Sequence, residues 1–183
     1  MRNFLLGFVF ALVALIAGGW FVWRQGYVDF GADRAPSFVE EKLAMAAVDA
    51  SVDRRAPALK NPLPATEETI AAGAKIYLDH CAGCHGVPSN PDSPFARSFS
   101  PPAPGFFKNG PDMSESQSFY VIRHGIRWTG MPAWGQTLDG TQTWQVVTFL
   151  SQIEKLPPAA QKVFGPAVPS TRMPMPNGMH MDH

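Results

Sequence analysis

From Phe4 to Trp23 the chain reads FLLGFVFALVALIAGGWFVW, apolar without interruption and bounded by Arg2 and Arg24. As a helix rising about 1.5 Å per residue, this run crosses a hydrocarbon layer of roughly 30 Å, so the pattern predicts a transmembrane anchor. The run ends in Trp20, Phe21, Val22 and Trp23, where a removable signal peptide would place small residues for cleavage. Arg2 and the terminal amine favour a cytoplasmic N-terminus, with Trp20, Trp23 and Tyr27 at the outer interface. The expected layout is a single pass through an inner membrane, with the remaining residues facing the periplasm.

Beyond the anchor the pattern becomes helical in separate pieces. Ser37 and Glu40 are spaced as a capping box, predicting a short helix from about Phe38 to Ala50. Its apolar stripe is weak, which reads as a spacer. The stretch APALKNPLP is stiffened by proline and reads as a linker. Thr66 caps a helix that carries Ile70, Gly73, Ala74 and Tyr77 toward two cysteines. Residues 86–110 hold too many Pro, Gly and Ser for a lasting helix or central strand, yet Phe95, Phe99, Phe106 and Phe107 need an apolar surface to cover. Ser114 and Gln117 open a second helix that closes at Gly125, and a third begins at Asp139 or Thr141 and runs to Pro157 and Pro158. No strand period and no internal repeat appears. The divisions are an anchor over 1–25, a linker with a short helix over 26–65, one domain over 66–158, and a flexible tail over 159–183.

Charge narrows the partners. The chain carries 15 basic and 15 acidic residues for a net charge of zero, so it lacks the basic field that nucleic-acid binding requires, and none is expected.

The two cysteines of the chain, Cys81 and Cys84, stand in HCAGCHG with His85 directly after them. Cys-x-x-Cys-His is the attachment signature of c-type haem, in which the thiols add to the two vinyl groups and the adjacent histidine ligates iron. A structural zinc site would need a second ligand pair, a thioredoxin-like dithiol would need a βαβ pattern, and a plain disulfide leaves His85 without a role. The expected cofactor is one covalent haem c, with His85 as an iron ligand.

A sixth iron ligand is expected at Met131, where RWTGMPAWG restrains the backbone with Gly130 and Pro132. Met113 and His124 are the rivals; the first precedes a helix cap, and the second suits a helix C-terminus as a cation. His80 reads as solvent-facing.

With CAGCH, GMPAW, the Gly73 and Tyr77 pair, and Trp144, Val146 and Phe149 on the last helix, the chain resembles the class I c-type cytochromes over about Thr66 to Pro158. The resemblance implies an all-α cytochrome c fold, three main helices and loops around one haem, with first and last helices crossing at a small residue. It also implies that a proline-segment carbonyl in SPPAPGFF, placed at Pro101 or Pro102, receives the ring N–H of His85. The tethered layout is similar to the cytochrome subunits of respiratory oxidoreductases and cbb-type oxidases. The implied function is one-electron transfer by a respiratory carrier or cytochrome subunit rather than enzyme catalysis. Its partners would be a membrane oxidoreductase, a terminal oxidase or soluble carriers. A haem-based redox or gas sensor is the alternative.

Met173, Met175, Met179 and Met181, with His180 and His183, place soft thioethers densely in the tail. Such a set suits copper, and a copper-handling accessory role stands beside the reading of a disordered end.

Overall fold

The computed structural model describes residues 1–32, 34 and 36–165. They fall into two compact units, 1–32 and the residues that follow. The six tail residues considered for copper lie outside the described residues.

The first unit is a single helix, α1 (Arg2–Arg24), in which no residue is buried. It is long and apolar enough to cross a membrane. Trp20 and Trp23 pair near its end with ring centroids 5.0 Å apart.

The second unit is helical, and no strand occurs among its described residues. Helix α2 (Phe38–Arg55) starts at the expected capping box but runs five residues past Ala50. Its extra turn is held: Val52 is buried, and Asp53 accepts a 2.6 Å hydrogen bond from Gln117 Nε2. The end of α2 is therefore packed on the domain and is not a free spacer.

The core is built by α3 (Glu67–His80) against α7 (Gly140–Ser151). Thr66 Oγ1 caps α3 through the Thr69 N–H, and Asp139 caps α7 through the Gln142 N–H at 2.8 Å. The buried stripe of α3 is Ile70, Gly73, Ala74 and Tyr77, the i, i+3, i+4, i+7 set that one helical face provides. Gly73 is the crossing point. A Cβ there would lie 2.6 Å from the Gln145 carbonyl carbon and 2.8 Å from Phe149 Cβ.

Helix α6 (Glu115–His124) begins at the Ser114 capping box and closes on Gly125 at φ 65°. Its Phe119 stacks on Trp144 of α7 with centroids 4.2 Å apart. Between α3 and α6 the chain makes only single turns: α4 (Ala82–His85), a 3-10 turn over Pro94–Ser98, and α5 (Phe106–Asn109).

Two boundaries differ from the sequence reading. Helix α7 stops at Ser151 and is followed by a 3-10 turn, Ile153–Lys155, so the segment up to Pro157 is not one helix. Pro157 and Pro158 then start a helix, α8 (Pro158–Val163), because a proline in the first turn gives up an N–H that has no partner there anyway. Ala160 of α8 is fully buried, and Phe164 packs against Tyr77, Phe107 and Phe149. The domain thus extends past Pro158 into residues first assigned to the tail.

Candidate haem-binding site

Helix α3 delivers the cysteines. The Cys81 N–H still bonds to the Tyr77 carbonyl at 2.8 Å, and the Cys81 carbonyl accepts from Cys84 N at 3.1 Å and His85 N at 2.9 Å. Both sulfurs and the imidazole therefore issue from one tight turn. Gly86 ends that turn at φ 83°, and a Cβ there would meet the Pro91 carbonyl carbon at 2.8 Å, so glycine is required on two counts. Tyr77, fully buried, donates its hydroxyl to the Gly86 carbonyl at 2.9 Å, and burial holds that phenol protonated. One side chain thus joins the helix crossing to the cysteine turn.

His85 is 9 % exposed. Its Nδ1 donates to the Pro104 carbonyl at 2.8 Å, since a carbonyl can only accept; this fixes the tautomer and leaves the Nε2 lone pair for a metal. Burial pushes the imidazole below its ordinary range, against a smaller upward pull from the Pro104 carbonyl. The neutral ring that ligation needs is the favoured form.

The acceptor corrects the sequence reading, which put this carbonyl at Pro101 or Pro102. Ala103 N is tied to the Ala96 carbonyl at 3.3 Å, so Pro101 and Pro102 stay with the Pro94–Ser98 turn and the chain reaches His85 only at Pro104. Two residues on, the Phe106 ring stacks on the His85 imidazole with centroids 4.4 Å apart and planes 10° apart. Sequence reasoning did not assign Phe106 to the histidine; the signal available was a surplus of phenylalanines in a loop that cannot bury them alone.

Cys81 and Cys84 are free thiols, both half-buried. Burial, with a smaller contribution from Cys84, pushes the Cys81 thiol up to about 12, so the haem-free chain keeps it neutral. A pair of unbridged, half-buried sulfurs in the same turn as a buried, tautomer-fixed imidazole fits covalent haem. Among the described residues no group of three or more His, Cys, Asp or Glu is placed to hold a metal ion, so the alternative zinc reading finds no ligand set there.

Met131 stands on a separate loop after α6. Ile126 N donates to the Met131 carbonyl at 3.1 Å, Met131 N to Thr129 Oγ1 at 3.1 Å, and Thr129 Oγ1 to the Ile126 carbonyl at 2.8 Å. A Cβ on Gly130 would meet the Phe99 ring at 2.7 Å, so the loop is also pressed from outside. Met131 is half-buried at the edge of the core. The rivals lie elsewhere. Met113 lines a groove of about 300 Å³ with Asp49, Val52, Asp53 and Gln117, and His124 is exposed with its ring 4.5 Å from Tyr120. His80 is exposed as expected, but its ring lies 5.1 Å from Trp134, a contact between the cysteine turn and the Met131 loop that the sequence did not suggest.

The helical fold and the Cys81–His85 turn have the features expected of a c-type cytochrome domain, and a family match over part of the chain supports haem-based electron transfer. Residues 68–150, a little under half of the chain, match the family model described as cytochrome C oxidase, cbb3-type, subunit III. A solved structure titled "Kuenenia stuttgartiensis reducing HAO-like protein complex Kustc0457/Kustc0458" is similar at 26 % identity, covering 53 % of this chain and 50 % of that one with a TM-score of 0.45. The match thus spans about half of that structure's length. No curated protein matches.

Proposed function

We propose that the chain is a membrane-tethered, one-electron carrier with His85 and Met131 as axial ligands of a single haem c. It would serve a respiratory oxidoreductase or terminal oxidase on the periplasmic side. The observation that supports the reading is the 2.8 Å bond from His85 Nδ1 to the Pro104 carbonyl under a stacked Phe106, because it leaves the Nε2 lone pair available for a metal. Bound there, haem c supplies a one-electron iron couple whose potential a thioether ligand raises. Cys81 and Cys84 would hold the group covalently, His85 is held in the tautomer that ligation needs, and the Ile126–Thr129–Met131 hydrogen bonds fix the loop that would present the thioether. Helix α1 would tether the domain beside its partners.

The test is the ferric near-infrared sulfur-to-iron band, expected in the full chain, lost in Met131→Ala and kept in Met113→Ala. Loss of the band in Met113→Ala with retention in Met131→Ala would reassign the ligand. Rapid carbon monoxide binding by the ferrous protein would favour the sensor, since a carrier has no open coordination position. Haem that leaves the membrane fraction in a high-salt wash would remove the tether, because hydrophobic insertion is insensitive to salt.

A further inference from the structure

Trp128 is 90 % exposed, more than any other large apolar side chain described beyond residue 32. It is also the non-glycine residue with positive φ among the described residues, at 61°. It occupies the third position of a turn closed by Thr129 N on the Ile126 carbonyl at 3.3 Å, where a positive φ ordinarily calls for glycine or asparagine. The chain thus puts its bulkiest residue type where backbone strain disfavours it and water surrounds it. Neither cost is recovered inside the domain, since Thr129, Ile126 and Met131 brace the loop without the indole. Strain kept at an exposed aromatic points to a contact made with something else.

The surroundings define what that is. Two residues along the chain, Gly130 packs on Phe99, whose ring meets Phe95 edge-on at 5.0 Å, and Phe95 is itself 58 % exposed. The segments that meet at that contact, 93–104 and 124–134, carry Arg97, His124 and Arg127 and no carboxylate. The carboxylates Asp49, Asp53 and Asp112 instead line the groove between α2 and α6. Around the Met131 loop the surface is locally cationic through Arg97 and Arg127, and such a face orients an encounter with an anionic surface.

We propose that Trp128 is the docking anchor of the domain, inserted into an apolar pocket ringed by carboxylates on a redox protein, with Arg127 facing that rim. Tryptophan and arginine at the centre of a small interface carry a disproportionate share of binding, and a carrier needs a small interface so that it can leave. The inference rests on the haem reading above and adds the chemistry of the partner.

The test uses the full-length, haem-loaded chain in detergent and, as partner source, solubilised membranes of the same organism lacking this chain. Wild type, Trp128→Ala, Trp128→Phe and Arg127→Ala are compared by absorption spectrum, midpoint potential, melting temperature, oxidation by ferricyanide, and electron exchange with the membranes. Trp128→Ala is expected to keep spectrum, potential, melting temperature and ferricyanide rate, and to slow exchange with the membranes at least tenfold. Trp128→Phe should recover most of that rate, and Arg127→Ala should flatten its decline with added salt. An unchanged membrane rate in Trp128→Ala overturns the proposal. A shifted spectrum, potential or ferricyanide rate overturns it too, because the indole would then cover the haem, and so does a changed oligomeric state, which would make the occupant a second copy. Failure of the haem reading looks different: the wild type itself would carry no covalent haem.

Discussion

Replacing Gly73 by alanine is the sharpest test of the helix crossing on which the domain is built. At an exposed helical position the change would stabilise by about 1 kcal/mol, since alanine is the better helix former. Here the new Cβ would lie 2.6 Å from the Gln145 carbonyl carbon and 2.8 Å from Phe149 Cβ. Ordinary contact begins near 3.4 Å, and the obstacle is the backbone of α7, which cannot rotate aside. Relief therefore requires α3 and α7 to part by an ångström or more, because the Gln145 carbonyl oxygen is nearer still, and this loosens the Ala74, Tyr77 and Phe149 packing, where a gap of even about 0.5–1 Å forfeits a quarter to a half of the dispersion well. Overpacking of this kind costs about 1–3 kcal/mol, and an immovable neighbour puts the cost at the upper end. After the propensity gain, a net loss of about 2 kcal/mol is expected, roughly a 30-fold fall in the folding equilibrium constant. Guanidinium unfolding of the full haem-loaded chain in detergent measures it. A Gly73→Ala protein as stable as wild type, or more so, would refute the crossing geometry.

Three further outcomes follow from the site. Tyr77→Phe strips the Gly86 carbonyl of its buried donor and should cost about 1–2 kcal/mol in the same assay, with no change in the haem content of the folded protein. In the chain prepared without haem, where His85 Nε2 is free to protonate, burial lowers the His85 pKa, so the unfolded chain binds more protons than the folded one between that lowered value and about 6.5; stability is expected to rise with pH through that window and to be lost as pH falls through it, and a denaturation midpoint higher at pH 5 than at pH 7.5 would contradict this. Gly130→Ala presses on the Phe99 ring, which can move, so the protein should fold while the near-infrared ligand band shifts; an unchanged band would show that the loop does not control the thioether.

What the sequence made legible was local. The caps at Ser37, Thr66 and Ser114 are short-range hydrogen bonds written in residue type and spacing, and each sits where the pattern put it; of the two starts left open for the last of these helices, Asp139 and Thr141, the cap is Asp139. The Cys81–His85 turn was readable because attachment chemistry fixes its spacing. Other features depended on contacts distant in the chain. Which proline carbonyl meets His85 depends on contacts such as the Ala103 to Ala96 hydrogen bond, a register that cannot be counted across a separation of 19 positions, and the choice of Pro101 or Pro102 was wrong for that reason. Helix α8 was hidden because Pro157 and Pro158 read equally as a stop or a start, and only burial of Ala160 and Phe164 against α3 selects the start. The docking of α2 rests on Val52 and on a bond from Gln117 to Asp53, 64 positions apart. Trp128 carried no signal at all, since its exposure and its φ are properties of the folded loop.

Stability and the attachment turn share one side chain. The Tyr77 ring meets Phe149 of α7 at 5.0 Å, Phe107 of the proline-rich loop at 5.8 Å and Phe164 beyond α8 at 6.4 Å, while its hydroxyl holds the Gly86 carbonyl directly after His85. The same loop that supplies Phe107 to this cluster supplies the Pro104 carbonyl and the Phe106 ring to the histidine. A displacement of α3 from α7 therefore reaches the imidazole along two routes, through Gly86 and through Phe107. For the proposed carrier, anchoring the His85 turn to the fully buried Tyr77 and Phe149 would limit its movement between oxidation states. The loop bearing Trp128 and Met131 is braced differently, by its own hydrogen bonds and by Phe99, which leaves its outer face free to meet a partner without disturbing the histidine side.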